Sequence, residues 1–564
     1  MNSLTLILAV LVIFALGYRF YGGFLSKLYE LDPSRDTPAH TRSDGVDFVP
    51  ARNWWVLFGH HFSSICGAGP IVGPVLACAY WGWGVSLVWV VVGVVWMGAV
   101  SDFSALVISI RSKGESISNI SGAEISPRAR MAFAIFLWIS LILVIAVFAI
   151  FAAKTFIQEP DAVVPSVGLI PTALLIGWLL YSKKMADVPA TLIGLVILGV
   201  LLYLGTVFEL RMPSAGAESS IAFFNAQNNW ILLLLAYCFI ASVVPVQKLL
   251  QPRDYMASFI LFALIGIGVA SVVVVHPVIR QPGYRGFTPA DWPEAGPLWP
   301  MLFVTIACGA ISGFHALVSS GTTCKQLSSE GHACRIGYGG MLVEALVAVL
   351  VIISVTAGLT HTELTGFLGK GGPIAAFGHG YGAISEWLLG GYGRSFAILA
   401  LNAFILTTLD TATRITRYIT AELFGIKNIY LAALIAVSAS GLLALSGSWT
   451  LLWPAFGAAN QLIAGITLLV ASCWLLNRGR NFKVTLIPSL LMLVTTVAAF
   501  GWQIAGAVGR RSPAGDWNPD WAIAVIEAVL IVIAAVILAE AVQVFRGGRS
   551  KIATSTYGGG NSDV

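Results

Sequence analysis

Long apolar runs recur from one end of this 564-residue chain to the other, each long enough, at about 18 residues or more, to cross a hydrocarbon core as a helix. Inside lipid every backbone N–H and C=O must find a partner within the protein, so such runs have little choice but to become helices. Composition points the same way: 57% of the residues are hydrophobic and 10% charged, against about 25% charged in soluble domains. The chain is therefore expected to be an all-α polytopic membrane protein with no soluble domain of useful size. The first run lacks a basic leader and an Ala-x-Ala cleavage pattern, which predicts a retained helix rather than a signal peptide.

Sixteen candidate helices can be marked, at about residues 3–25, 54–79, 84–110, 131–153, 165–182, 186–208, 229–247, 255–277, 298–321, 338–358, 374–391, 395–423, 429–446, 450–476, 484–506 and 521–545. The eleventh is the weakest, because its glycines, His379 and Glu386 suit an interfacial or re-entrant segment better than a span. Basic residues concentrate in cytoplasmic loops, and this bias separates the two possibilities. If the eleventh does not span, one side collects 23 Lys and Arg and the other 8; if it does, the split is 17 to 14. About fifteen spans are predicted, with the N-terminus outside and the C-terminus cytoplasmic. Residues 1–25 form an N-terminal accessory helix, 26–53 a cytoplasmic loop and 546–564 a disordered cytoplasmic tail rich in Gly and Ser. Five of the seven cysteines fall in helices, and Cys324 and Cys334 are too far apart for a Cys-x-x-Cys pair. Neither a disulfide framework nor a zinc site is indicated. The modest net charge of +5 predicts no nucleic-acid partner.

The second span carries "GHHFSSICGAGPIVGPVLA" at residues 59–77. Pro70 and Pro74 each remove a backbone donor and clash with the preceding turn, while Gly67, Gly69 and Gly73 free the backbone from helical geometry. Such an interruption is tolerated only where it faces protein or a wet cavity, and its freed groups can bind an ion or a substrate. A merely kinked helix with glycines for tight packing is the simpler alternative. The seventh span, "WILLLLAYCFIASVVPVQKLL" at residues 230–250, has Ser242 and Pro245 in its second half. It lies five spans after the second and runs in the opposite direction, which is the pattern of a five-plus-five inverted repeat with a midplane site. The ninth span, "GAISGFHALVSSGTTCKQL", brings Ser312, His315, Ser319, Ser320, Thr322 and Thr323. It would be the eighth core helix, packed on the first, where its hydroxyls either complete an oxygen cage for an ion or permit close helix contact.

These stretches, with "QPRDY" at 251–255, "TTLDTATRITRYI" at 407–419 and "RFYGGFLSKLYELDPSRDTPAH" at 19–40, resemble the carbon starvation protein A (CstA) family of membrane transporters, in order and over nearly the whole chain. The resemblance implies a secondary transporter of the amino acid-polyamine-organocation superfamily with a LeuT-like repeat, taking up pyruvate or short peptides when carbon is scarce, coupled to protons. Where the family carries an apolar stretch before "QPRDY", this chain has Gln247 and Lys248. Lys248 either alters selectivity or snorkels to the surface.

Candidate roles follow. Gly67, Ala68, Gly69, Pro70 and Gly73, with Ser242 and Pro245, are expected to flank the substrate, whose carboxylate a half-helix N-terminus would favour. Ion coupling is assigned to His60, His61, Ser63, Ser64, Ser319, Ser320 and Thr323, because histidine titrates near neutral pH; a packing histidine bonded to a carbonyl is the alternative. Gating is assigned to Asp410, Arg414, Asp102 and Glu344, since charges deep in a span are costly and often functional. Asp410 and Arg414, four residues apart, are expected to pair within their helix. Asn460 and Gln461 mark a further polar interruption that either anchors accessory helices or helps an oligomer form.

The chain is thus expected to be a carrier rather than an enzyme. Its inverted-repeat core covers residues 54–423, and C-terminal accessory helices cover 424–545. Its partners are the bilayer, a small peptide or pyruvate-like substrate, and a proton or sodium ion, with no cofactor. The rival class is a membrane redox protein that ligates metal or haem through His60, His61 and His315.

Overall fold

The computed structural model describes residues 2–212, 225–446, 449–509 and 519–547; the tail expected to be disordered lies almost wholly outside them. Helices dominate, and an isolated bridge between Asn2 and Val278 is the sole β pairing among the described residues. Among the described residues thirteen helices are long and apolar enough to cross a membrane, and a bent pair makes a fourteenth. The remaining expected span, residues 298–321, is cut into pieces too short to count alone.

In chain order the elements are α1 (Ser3–Leu28), α2 (Trp54–Ile65), α3 (Gly69–Tyr80), α4 (Trp83–Arg111), α5 (Pro127–Gln158), α6 (Pro160–Leu180), α7 (Asp187–Val207), α8 (Ala226–Val243), α9 (Leu250–Val275), α10 (Leu298–Thr305), α11 (Ala307–Ala310), α12 (Gly313–Gly321), α13 (Glu330–Ala357), α14 (His361–Leu389), α15 (Gly393–Phe424), α16 (Ile429–Ser446), α17 (Trp449–Asn477), α18 (Lys483–Gly509) and α19 (Pro519–Gly547). Their starts are written in local chemistry. Asn53 caps α2 by accepting from the Val56 amide at 2.9 Å, and Ser126 caps α5 ahead of Pro127. Thr360 and Glu363 form a capping box on α14, each satisfying amides that the first turn leaves without partners.

The interruption in the second span is real: α2 and α3 are bent by 43° across residues 66–68. A second interruption lies in residues 298–321. Ile306 leaves helical geometry between α10 and α11, and Ile311 and Ser312 are extended before α12 begins. The two broken helices run antiparallel. At one end His61 and His60 meet Thr323 and Gln326, which follow α12. At the other Trp81, just past α3, donates to the Gly296 carbonyl and Tyr80 packs on Trp292, ahead of α10.

This pairing corrects the expected partner. The seventh span is not broken within the bundle: α8 is continuous to Val243, Val244 takes an extended conformation and Pro245 stands in the turn to α9. A residue before proline is pushed out of the helical region, so Pro245 ends the helix instead of splitting it. Ser242 keeps its hydroxyl on the Phe239 carbonyl at 2.8 Å, and Lys248 is exposed at that turn.

α14 turns back on itself at Gly372, whose φ of 72° is left-handed, and Phe367 stacks on His379 at 4.1 Å. Its first half meets the end of α5 through Gln158 and Gly371. Its second half presses Gly380 on Ser354 near the end of α13 and Gly382 on Arg394 at the start of α15. It is therefore a bent segment packed against the ends of α5 and α13 and the start of α15. The opposite end gathers basic loops: Arg480 pairs with Glu30, Arg111 and Arg35 with Glu330, and Arg42 with Glu115.

Candidate functional site

The last turn of α2 is where the site begins. A half-helix that stops inside the bundle leaves its final carbonyls without helical partners. Two threonines of α15 take them: Thr407 donates to the Ser63 carbonyl at 2.7 Å and Thr408 to the Ser64 carbonyl at 3.0 Å. The threonine-rich start of "TTLDTATRITRYI" is thereby explained. Those carbonyls are engaged with protein, which bears on any role for them in holding an ion.

His60 and Asp254 form the centre of a fully buried network. His60 Nδ1 lies 2.7 Å from Asp254 Oδ2, and Ser64 donates to the same oxygen at 3.1 Å. Ser63 donates to the Asp254 backbone carbonyl at 2.8 Å. On the other side of the ring, Gln326 Nε2 reaches His60 Nε2 at 3.1 Å, while Gln326 Oε1 accepts from Gln251 at 2.6 Å. With the Gln251 amide donating to Gln326 Oε1, the Gln326 NH₂ faces Nε2, the arrangement in which Nδ1 donates to Asp254. Imidazole and carboxylate are thus held in direct contact, each with a second polar partner. His61 faces away, to Thr323 at 2.8 Å.

At the break, the glycines serve close approach as well as bending. A methyl on Gly73 would lie 2.3 Å from the Thr305 carbonyl oxygen, and one on Gly69 would lie 2.2 Å from Cys308 Sγ. α3 is thereby seated directly on α10 and α11. Across the seam, Asn460 of α17 caps α12, accepting from the Phe314 amide at 2.7 Å and donating to Ser312 at 3.0 Å. Gln461 accepts from Thr496 of α18 at 3.2 Å, so this amide joins α17 to α18. Ser320 spends its hydroxyl on the Ala316 carbonyl at 2.9 Å.

Asp410 and Arg414 do not pair with one another, contrary to their four-residue spacing. Asp410 is ion-paired with Arg253 of α9 and accepts from Tyr237 of α8 at 2.7 Å. Arg414 reaches Asp47 at 2.7 Å and donates to the Ala241 carbonyl at 2.8 Å and to the Val244 carbonyl. Both charges are fully buried, and a buried ion is stable only when its several hydrogen-bonding positions are filled. Neighbouring helices and the loop supply more partners than one intrahelical contact could. Asp47 also holds Arg417 at 3.0 Å. Burial pushes the Asp47 carboxyl up, but Arg417 and Arg414 outweigh it and hold it below the usual carboxylate range. This clamp ties the loop before α2 to the end of α15.

Asp102 and Glu344 meet at His315, at 3.4 and 3.1 Å. The three histidines of the redox alternative thus face separate partners: Asp254 for His60, Thr323 for His61, and Met341 with two carboxylates for His315. Among the described residues no group of three or more His, Cys, Asp or Glu is arranged to hold a metal ion. Sequence reasoning did not assign Arg253 and Asp254, although "QPRDY" contains both, nor Tyr237, Gln326 or Asp47. An Arg-Asp dipeptide at the start of a predicted span was the available signal.

Comparison with known proteins agrees with this architecture. The family model described as "Carbon starvation protein CstA" matches residues 2–365 and 360–499. The "Peptide transporter CstA" of Campylobacter jejuni is 34% identical, over 88% of this chain and 79% of its own length. The "Pyruvate/proton symporter BtsT" of Escherichia coli is 30% identical, over 89% of this chain and 82% of its own. Among solved structures, a manganese transporter of Eremococcus coleocola superposes with a TM-score of 0.54 at 12% identity, covering 89% of this chain and 99% of that one; this shows likeness of fold alone. With a family model spanning most of its length and two relatives at 30% identity or above, this multi-pass membrane protein belongs to the carbon starvation protein CstA family.

Proposed function

We propose that this chain is a proton-coupled secondary transporter that takes up short peptides or pyruvate-like small carboxylates across the bacterial inner membrane when carbon is scarce. The observation that carries this reading is the antiparallel pair of broken helices, with unwound segments at residues 66–68 and 311–312 side by side and the buried His60–Asp254 pair about two turns before the first of them. Interrupted, opposed helices are how carriers expose backbone groups to a ligand at membrane depth. The carboxylate of the cargo is assigned to Gly67, Ala68, Gly69 and Pro70 at the start of α3, where the helix dipole favours negative charge. Residues 311–313 replace Ser242 and Pro245 on the facing side, and Gly73 serves packing. Coupling is assigned to His60 with Asp254, supported by Ser63 and Ser64. The names of the relatives, a peptide transporter and a pyruvate/proton symporter, support both the cargo class and the ion.

Setting α6 and α7 aside as an inserted hairpin, the broken helices are first and sixth of ten, counting from α2–α3 to α17. This order supports an inverted repeat over residues 54–477, with α1, α18 and α19 accessory, in place of a core ending at 423. The clustering of basic loops beside the His60 end supports a cytoplasmic location for that face, with the N-terminus outside. Alternating access would open that face by releasing the Asp47 clamp on Arg414 and Arg417. The test is uptake of labelled pyruvate and labelled dipeptides into proteoliposomes under imposed proton or sodium gradients. Accumulation driven by the proton gradient is expected. Uptake of neither cargo, or uptake driven by sodium alone, would overturn the proposal.

A further inference from the structure

Directly behind the two breaks lies a second titratable group that the His60–Asp254 pair does not use. Asp102 of α4, His315 of α12 and Glu344 of α13 are all fully buried. His315 Nδ1 stands 3.1 Å from Glu344 Oε2, 3.4 Å from Asp102 Oδ2 and 3.0 Å from Met341 Sδ. Yet none of the four carboxylate oxygens has a partner in hydrogen-bonding geometry, and neither does Ser319 Oγ one turn further along α12; the Ile65 backbone at the end of α2 faces His315.

The titratable groups facing this cluster are few. His61 approaches from α2, its Nε2 also without a partner and set against Gly340, one turn before Glu344. The Cys66 and Cys308 thiols, one at each broken helix, lie within electrostatic reach of Glu344. Among the described residues no lysine or arginine forms an ion pair with Asp102 or Glu344; His315 is the partner of both. Two carboxylates and one imidazole therefore share one buried pocket with more acceptors than donors. Burying unmatched charge and unpaired acceptors is costly. A proton on one carboxyl removes a charge and turns an acceptor into a donor, which mends both defects at once.

The placement connects this pocket to the moving parts. One turn after Glu344, Ala348 packs against Gly309, which itself lies against Pro70. α13 thus brings the carboxylate to the seam where the two broken helices meet, while His315 rides on α12. We propose that Asp102, His315 and Glu344 form a second proton-binding site, which takes up one proton from solvent and releases it to the opposite side in each cycle, separately from His60–Asp254. This rests on the transporter reading above, and the test has an arm that does not.

In the first arm, infrared difference spectra of the purified protein in lipid, recorded between neutral and alkaline pH, report the carbonyl stretch of protonated carboxyls. Glu344→Gln or Asp102→Asn is expected to remove one carboxyl's worth of this band, and His60→Gln to leave it. A band unchanged in both carboxyl variants would overturn the proposal, whatever transport does. In the second arm, Glu344→Gln is expected to keep substrate counterflow, which needs no gradient, while losing at least tenfold in proton-driven accumulation. Undiminished proton-driven accumulation, or loss of a sodium dependence instead, would also overturn it. If the band behaves as expected but the wild type shows no counterflow of either cargo, the transporter reading fails and the proton site stands. Counterflow itself shows that the variant is folded, and thermal unfolding of the infrared samples checks the same point.

Discussion

Replacing Gly69 with alanine probes the seam between the broken helices. The new methyl would stand 2.2 Å from Cys308 Sγ and 2.3 Å from Cys308 Cβ, with the next atom, Cys308 Cα, at 3.8 Å. Carbon atoms rest about 3.5–4.0 Å apart, so the two helices must separate by over an ångström or α11 must shift. Overpacking of this kind costs about 1–3 kcal/mol, which lowers Tm by about 1–3 °C in a chain of this length with ordinary unfolding entropy. The clash is confined to one side chain, and that makes the reasoning checkable. Cys308→Gly removes both offending atoms and leaves only the ordinary contact to Cα. By itself it costs a few tenths of a kcal/mol in helix propensity, together with the loss of a small buried side chain. The double variant Gly69→Ala/Cys308→Gly should then be more stable than the sum of the single changes predicts, with a coupling of about 1–3 kcal/mol. Gly73→Ala supplies the contrast, because its methyl meets the backbone carbonyl of Thr305 at 2.3 Å and no side-chain truncation relieves it. The assay is thermal unfolding in detergent beside uptake in proteoliposomes. Wild-type Tm and uptake in Gly69→Ala, or a double variant that shows no coupling, would refute the close packing of α3 on α11.

Three further outcomes are expected. Asp410→Asn leaves Arg253, 1% exposed, without a counterion and should destabilise by about 3–5 kcal/mol, whereas Asp410→Leu with Arg253→Met should recover most of that loss; thermal unfolding of the three proteins decides it. Asp47→Asn should cost about 2–3 kcal/mol, somewhat less than a wholly buried pair, because the Asp47 side chain is 18% exposed. Since the native Asp47 carboxyl is held below its ordinary value, its contribution is present above about pH 3.9 and is lost as pH falls further. The Tm gap between wild type and Asp47→Asn should therefore hold at pH 5 and close on acidification below pH 4, and a gap that closes near neutrality would contradict the assignment. Asn460→Ala removes the cap of α12 and leaves the Phe314 amide buried and unpaired, at about 1–3 kcal/mol; faster hydrogen exchange at residues 313–316 than in wild type would report it.

Much of this protein was determined by its sequence because lipid permits so few backbone structures. Apolar length marked the spans, and two prolines among glycines marked the break at residues 66–68. Each of those signals is local, and each acts through backbone hydrogen bonding or the burial of apolar surface along one segment. The tertiary structure decided whatever depends on which segments meet. Pro245 is as strong a local signal as Pro70, yet it ends a helix at a turn, while the break at residues 311–312 has no proline and is capped by Asn460, about 150 residues away in sequence. Asp410 and Arg414 share a helical face, but a buried charge takes the neighbours that fill most of its hydrogen-bonding positions, and those came from α8, α9 and the loop at Asp47. His60 was legible as a candidate; its partner Asp254, 194 residues on, was not, because spacing along a chain carries no information on which helices the bilayer packs side by side.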